Sequence, residues 1–125
     1  MREDSVFRCY GNMFRQYATF RGRTDRREYW LAMTLHGGIV LLLFITVIAA
    51  QDTGVLRLLQ LYRLATFVPV YALSARRLHD IGRSGWWSLI AASGIGAIVL
   101  IVWLARVGET DENLFGADPH PVCRY

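Results

Sequence analysis

The chain has 125 residues, 54% of them hydrophobic, and a formal charge of +4 from 14 arginines, with no lysine, against 10 acids. That is enough for one domain and too apolar for a disordered chain, and two cysteines exclude both a disulfide scaffold and a four-cysteine zinc module. The charge alone leaves nucleic acid and an anionic membrane surface both open, so the positions of the arginines have to decide.

Along residues 5–20, Val6, Phe7, Tyr10, Met13, Phe14, Tyr17 and Ala18 recur at three- and four-residue steps, with Arg8, Asn12 and Arg15 on the other face. This predicts an amphipathic helix lying in the interface plane of an anionic leaflet, the alternative being a helix packed on the cytoplasmic ends of the bundle. Gly22 is expected to end it, and Asp25 with Glu28 three residues on predicts the capped start of the next helix. Residues 30–50 then run for 21 positions without a charge, long enough for the roughly 30 Å hydrocarbon core of a bilayer, so 29–50 is predicted to cross the membrane. Residues 58–78 are a second expected span, interrupted by Arg63 and by Pro69, which frees the carbonyl near Ala65. Residues 86–105, uncharged throughout, are the third. The first run is too long for the core of a cleavable signal, so it is expected to stay in the membrane.

The arginines alternate between the connections. Seven precede the first span, one lies between the first two, three lie at Arg76, Arg77 and Arg83, and the tail is net acidic. By the positive-inside rule the N-terminus and the 76–85 connection face the cytoplasm, and residues 106–125 form an extracytoplasmic tail. The expected fold is therefore all-α, one membrane domain over residues 1–125: three transmembrane helices preceded by an interfacial amphipathic helix. Tyr62 and Trp103 are placed near outer helix ends, and Trp86 and Trp87 near an inner one. Cys9 and Cys123 fall on opposite sides and are not expected to pair within one chain.

Two arginine-rich stretches, 20–30 and 76–87, then share one side at one depth. Each holds acids among its arginines, which predicts cross-pairing of Glu28 with Arg76 or Arg77, and of Asp80 with Arg23 or Arg27. Arg21, Arg23, Arg26, Arg27, Arg76, Arg77 and Arg83 are the candidate contacts for anionic lipid or a membrane partner.

Phe20-Arg21-Gly22-Arg23 with Arg26-Arg27-Glu28-Tyr29-Trp30, Arg76-Arg77-Leu78-His79-Asp80 with Ser84-Gly85-Trp86-Trp87, and Asn113-Leu114-Phe115-Gly116-Ala117-Asp118-Pro119 resemble, in order and spacing, the domain of unknown function 805 family (YhaH-like) of small bacterial inner-membrane proteins. The resemblance covers about residues 14–119. It implies a multi-pass membrane protein with no established activity, and it marks Gly22, Glu28, Trp30, His79, Asp80, Gly85, Trp86, Asn113 and Gly116 as structural motif positions. Similar sequences often carry proline in the third span where this chain has Ser93 or Gly94.

Other chemistry finds little footing. Adjacent His79 and Asp80 point different ways in a tight loop and lack a nucleophile elbow, so no catalytic residue and no enzyme activity is expected. His36, His79, His120, Cys9 and Cys123 form no metal-ligand spacing, and no cofactor motif is present. His36 is expected to pack in the bundle. The remaining alternatives are a subunit of an oligomeric transporter or channel, with Arg63, Pro69 and His36 near the path, and, behind it, an intramembrane enzyme. Expected partners are membrane lipids and, beyond them, a second copy or another membrane protein, with no nucleic acid.

Overall fold

The computed structural model describes residues 4–117, with side chains from Val6 onward. Among these residues every regular element is helical, apart from a single bridge between Asn113 and Gly116. The order is α1 (Asp4–Arg15), α2 (Arg26–Ala50), α3 (Thr53–Asp80), a 3₁₀ helix (Gly85–Ser93) and α4 (Ile95–Ala105).

Helices α2 and α3 are the two long and apolar enough to cross a membrane. At 1.5 Å per residue they are about 37 and 42 Å long, which exceeds the hydrocarbon thickness. Asp25 caps α2 by accepting from Arg27 N at 3.2 Å. The turn to α3 uses two residues: Gln51 sits in the left-handed region at φ 49°, and Asp52 caps α3 through Gly54 N at 2.7 Å. The half of α2 toward Ala50 is bare. Leu41, Leu42, Phe44, Ile45 and Ile48 are all more than half exposed, as are Leu58, Leu61, Leu64 and Phe67 of α3. So large an apolar surface is stable against lipid and not against water.

Pro69 removes the donor that would serve Ala65 O. That carbonyl accepts instead from the Tyr17 hydroxyl at 2.7 Å, while Thr66 Oγ1 donates back to Tyr62 O at 2.8 Å.

The N-terminal helix differs from expectation. It covers Asp4–Arg15 rather than 5–20, and it packs on α2 and touches α3. Cys9 and Met13 are fully buried with Tyr29, Ala32, Leu73, Leu78, Leu100 and Leu104. Tyr10 bonds Tyr62, and Tyr17 reaches Ala65, fifteen or more residues along α3 from Asp80. What this packing buries of α1 is Cys9 and Met13, while Phe7, Phe14 and Tyr17 of the aromatic stripe stay 65, 37 and 42% exposed. Gly22, at φ 91°, turns the following segment and is not the cap of this helix. Cys9 is not a free thiol, and the expectation about Cys123 falls outside the described residues.

The third expected span is the larger correction. Residues 86–105 do not form one helix. The 3₁₀ limb ends at Ser93, Gly94 takes φ 72°, and α4 returns beside it. Trp87 and Trp103 meet edge to face at 5.6 Å between ring centroids, whereas sixteen residues of straight α-helix would separate them by about 24 Å. The two limbs are about 18 and 16 Å long, each roughly half the hydrocarbon thickness. The segment enters and leaves at one end of the bundle as a re-entrant hairpin. Gly96 permits the bend, because a Cβ there would run into Ile90 O.

The hairpin is seated on α3 by Gly85, whose added Cβ would lie 2.7 Å from Ala75 Cβ and 3.3 Å from its Cα. Gly85→Ala is expected to cost about 1–3 kcal/mol through overpacking. Thermal unfolding in detergent checks this against Gly37→Ala, where nothing lies within 4 Å of the added carbon.

Candidate functional site

Because the hairpin folds back, residues 106–117 lie at the same end as the 20–27 and 76–85 segments, and not at the opposite end as expected for an outer tail. The proof is in the hydrogen bonds. Asp80 stands at the C-terminus of α3, where unpaired carbonyls make a carboxylate unfavourable. Two buried arginines offset this. Arg23 gives its Nε and Nη2 to Asp80 Oδ1 at 3.0 and 2.9 Å, and Arg77, one turn earlier on the same helix face, gives its Nη1 to Oδ2.

The remaining donors of both arginines go to backbone carbonyls. Arg77, fully buried, donates Nε to Leu104 O at 3.1 Å and Nη2 to Arg106 O. Arg26 adds a longer bond to Ala105 O at 3.4 Å, so the last carbonyls of α4 are capped by guanidinium groups. Arg23 donates to Glu109 O, to Asp111 O at 2.8 Å and to Gly116 O at 3.3 Å. The 106–117 segment is wrapped around one side chain.

That segment in turn closes the end of α3. Glu109 N donates to Asp80 O at 2.8 Å, and Asn113 Nδ2 to His79 O at 2.9 Å. Asn113 and Gly116 exchange backbone bonds at 3.1 Å, Asn113 Oδ1 accepts from Phe115 N, and Gly116 sits at φ 130°, which holds a tight turn. Phe115 stacks on His79 at 4.2 Å, nearly parallel. His79 Nδ1 donates to Gly22 O at 2.9 Å. At Gly108 a side chain is impossible without displacing the Asp80 carboxylate.

Of the seven candidate arginines, the structure separates two groups. Arg23, Arg76 and Arg77 are buried and do not face lipid or a partner. Arg21, Arg26 and Arg27 are exposed, and Arg83, half-buried, lies over the Trp103 ring at 3.9 Å. Asp80 takes Arg23 and not Arg27. Glu28 makes no ion pair within 4 Å among the described residues: it accepts from Asn12 Nδ2 at 2.5 Å. Arg76 Nε reaches Ala72 O at 3.4 Å, and its backbone carbonyl accepts from Thr24 N at 3.1 Å. Trp30 is partly exposed with its ring edge on Tyr29, and Trp86 is 79% exposed. Asn12, Gly108 and Glu109 are the participants that sequence reasoning missed. Glu109 is visible there as an acid of the tail, but on the other face.

Within one chain, the positions behind the transport alternative have different surroundings. Arg63 is exposed on the outer surface of α3, and Pro69 is buried. His36 Nδ1 bonds the Tyr62 hydroxyl at 3.0 Å with the rings stacked, so Tyr62 lies within the bundle, not at an outer end. Among the described residues no group of three His, Cys, Asp or Glu side chains is placed to hold a metal ion.

The motif residues that carry this network coincide with a known pattern. The family described as a protein of unknown function, DUF805, matches residues 17–117. The chain belongs to the DUF805 family. Among curated proteins it is 40% identical to the inner membrane protein YhaI of Escherichia coli (strain K12), over 88% of this chain and 93% of that one. It is 33% identical to the inner membrane protein YhaH of the same strain, over 88% and 94%. The uncharacterized protein YiiR of that strain is 30% identical over 73% of this chain and 65% of its own length. No solved structure matches. This DUF805 chain is thus a membrane protein, and the buried cluster of Arg23, Asp80 and Arg77 lies within the region the family match covers.

Proposed function

We propose that this protein is a small multi-pass protein of the bacterial inner membrane whose arginine-rich end lies in the cytoplasm and holds anionic lipid headgroups. The observation that carries the reading is the division of labour among the arginines. Arg23 and Arg77 are consumed inside the fold, yet Arg21, Arg26 and Arg27 remain exposed at the same end, beside the partly exposed rings of Phe20, Trp30 and Trp86. Cations at the level of an aromatic belt meet phosphate groups, each contributing about 1 kcal/mol near an anionic surface. The opposite end, around residues 51–57, holds one arginine and one aspartate, which supports placing the arginine-rich end inside.

Nanodiscs of neutral lipid with and without phosphatidylglycerol provide the test. The anionic lipid is expected to raise the thermal midpoint, and the double variant Arg21→Gln, Arg27→Gln to lose most of that gain while keeping the midpoint in neutral lipid. An equal gain in the double variant, or none in the wild type, overturns the reading.

A further inference from the structure

A cavity of about 480 Å³ opens beside the buried cluster, between the last turns of α3, the start of the 3₁₀ limb and the Asn113–Gly116 turn. On α3 its lining residues are Tyr71, Ala75 and His79, at four-residue steps along one helix face. The cavity therefore runs along α3, from the end of the helix toward the interior of the bundle, for about two turns. A helix that crosses a membrane sets that direction close to the bilayer normal.

The two ends of this groove differ in chemistry. At the end of α3, His79 and Ser84 supply polar atoms, and His79 Nδ1 donates to Gly22 O at 2.9 Å. Two turns deeper, Tyr71 is half-buried but its hydroxyl is shielded, so what it presents to the cavity is its ring. Phe20, Trp86 and Phe115 complete the aromatic walls. No carboxylate or guanidinium lines the space, which disfavours a charged group inside it. The occupant that fits is elongated, apolar over most of its length and polar at one end.

The charges flanking the polar end narrow the class. Arg21, exposed, follows Phe20 directly, and Arg83, over the Trp103 ring, precedes Ser84. Trp86 and Leu89 at the start of the limb are more than half exposed, so the wall on that side is continuous with the apolar surface of the hairpin. An anionic headgroup at the arginine leaves a chain free to enter the groove from the bilayer on that side. We propose that the cavity seats one acyl chain of an anionic phospholipid whose headgroup is held at Arg21. The charge of that lipid rests on the headgroup reading above; the seat for its chain rests on the cavity alone.

Photolabelling of the full chain in neutral nanodiscs tests this. The probes are phosphatidylglycerol and phosphatidylcholine carrying a diazirine in mid-chain, and the labelled residues are mapped by mass spectrometry. The phosphatidylglycerol probe is expected to label Tyr71 and Phe115 in the cavity as well as Leu61 and Leu64, which are exposed on α3. Ser84→Trp places an indole in the cavity, and the Ser84 side chain makes no capping bond that the change would break. It is expected to abolish label at Tyr71 and Phe115 and to keep it at Leu61 and Leu64. Labelling confined to Leu61 and Leu64 in the wild type, or label at Tyr71 and Phe115 that survives Ser84→Trp, overturns the seat. Equal labelling of Tyr71 and Phe115 by the two probes keeps the seat and overturns the anionic headgroup, so the two failures are told apart. The wild-type comparison of cavity with open face stands whatever Ser84→Trp does to folding.

Discussion

Asp80→Ala is expected to destabilise the protein by about 3–5 kcal/mol, more than any other single substitution at this end of the bundle. The carboxylate is the shared partner of two guanidinium groups that have no water around them: Arg77 is fully buried and Arg23 is 9% exposed. Removing it leaves two cations facing each other with only backbone carbonyls as acceptors, and both must rehydrate by opening the structure. Arg23→Ala is expected to act in the same direction, because it also strips the Glu109 and Asp111 carbonyls of this donor and leaves Gly116 O with Asn113 N alone. Arg27→Ala, exposed and outside the cluster, is the comparison. Thermal unfolding in detergent, followed by retention on a sizing column, reads the difference. An Asp80→Ala midpoint that stays with Arg27→Ala would show that the cluster holds nothing together.

The second large effect concerns sidedness, and it is all-or-none. The chain contains no lysine, so a single introduced lysine is a unique side-chain amine. Arg21→Lys and Thr110→Lys are expected to react with an impermeant amine reagent from the same face of sealed vesicles, and Gln51→Lys from the other face. All three positions are exposed, and the bonds from Arg23 to Asp111 O and Gly116 O tie the first two regions together. Labelling of residues 21 and 110 from opposite faces restores three full crossings and removes the re-entrant hairpin.

The two long helices are legible in the sequence because a soluble helix of that length would show charge on its solvent face, and residues 30–50 show none. Asp80 with Arg23 is legible too, since an acid has no topological use inside a positive loop. The hairpin is not. Hydropathy counts apolar residues but does not register that the chain reverses, and an uncharged 20-residue run reads the same as one span or as two half-length limbs. The signal lies in Ser93-Gly94-Ile95-Gly96, where Gly94 supplies a positive φ and Gly96 a close approach, but these residues also suit an ordinary packing stripe. A third crossing, once assumed, carries the Asn113–Gly116 turn to the wrong side, away from His79 and Asp80. Arg76 and Arg77 mislead for a related reason. An arginine near a helix end looks like a headgroup contact, and the burial of Arg77 depends on carbonyls contributed by residues 104 and 106, far along the chain.

The wrapping of residues 104–117 around Arg23 and Arg77 also sets an order of events during synthesis. Arg23 emerges early, and the carbonyls that satisfy it lie 86 to 93 residues later. Until those arrive, α2 and α3 have both been made, yet their guanidinium groups keep only water and Asp80 for company. The two long helices are therefore made long before the bundle can lock, and residues 104–117, translated after both, are the ones that complete it. Closing so long a loop adds little entropy cost over a short one, but it cannot begin until those residues have been made. Assembly of this small bundle is accordingly a late event relative to its insertion, and a chain that stops short of the tail is a membrane-inserted protein without a finished fold.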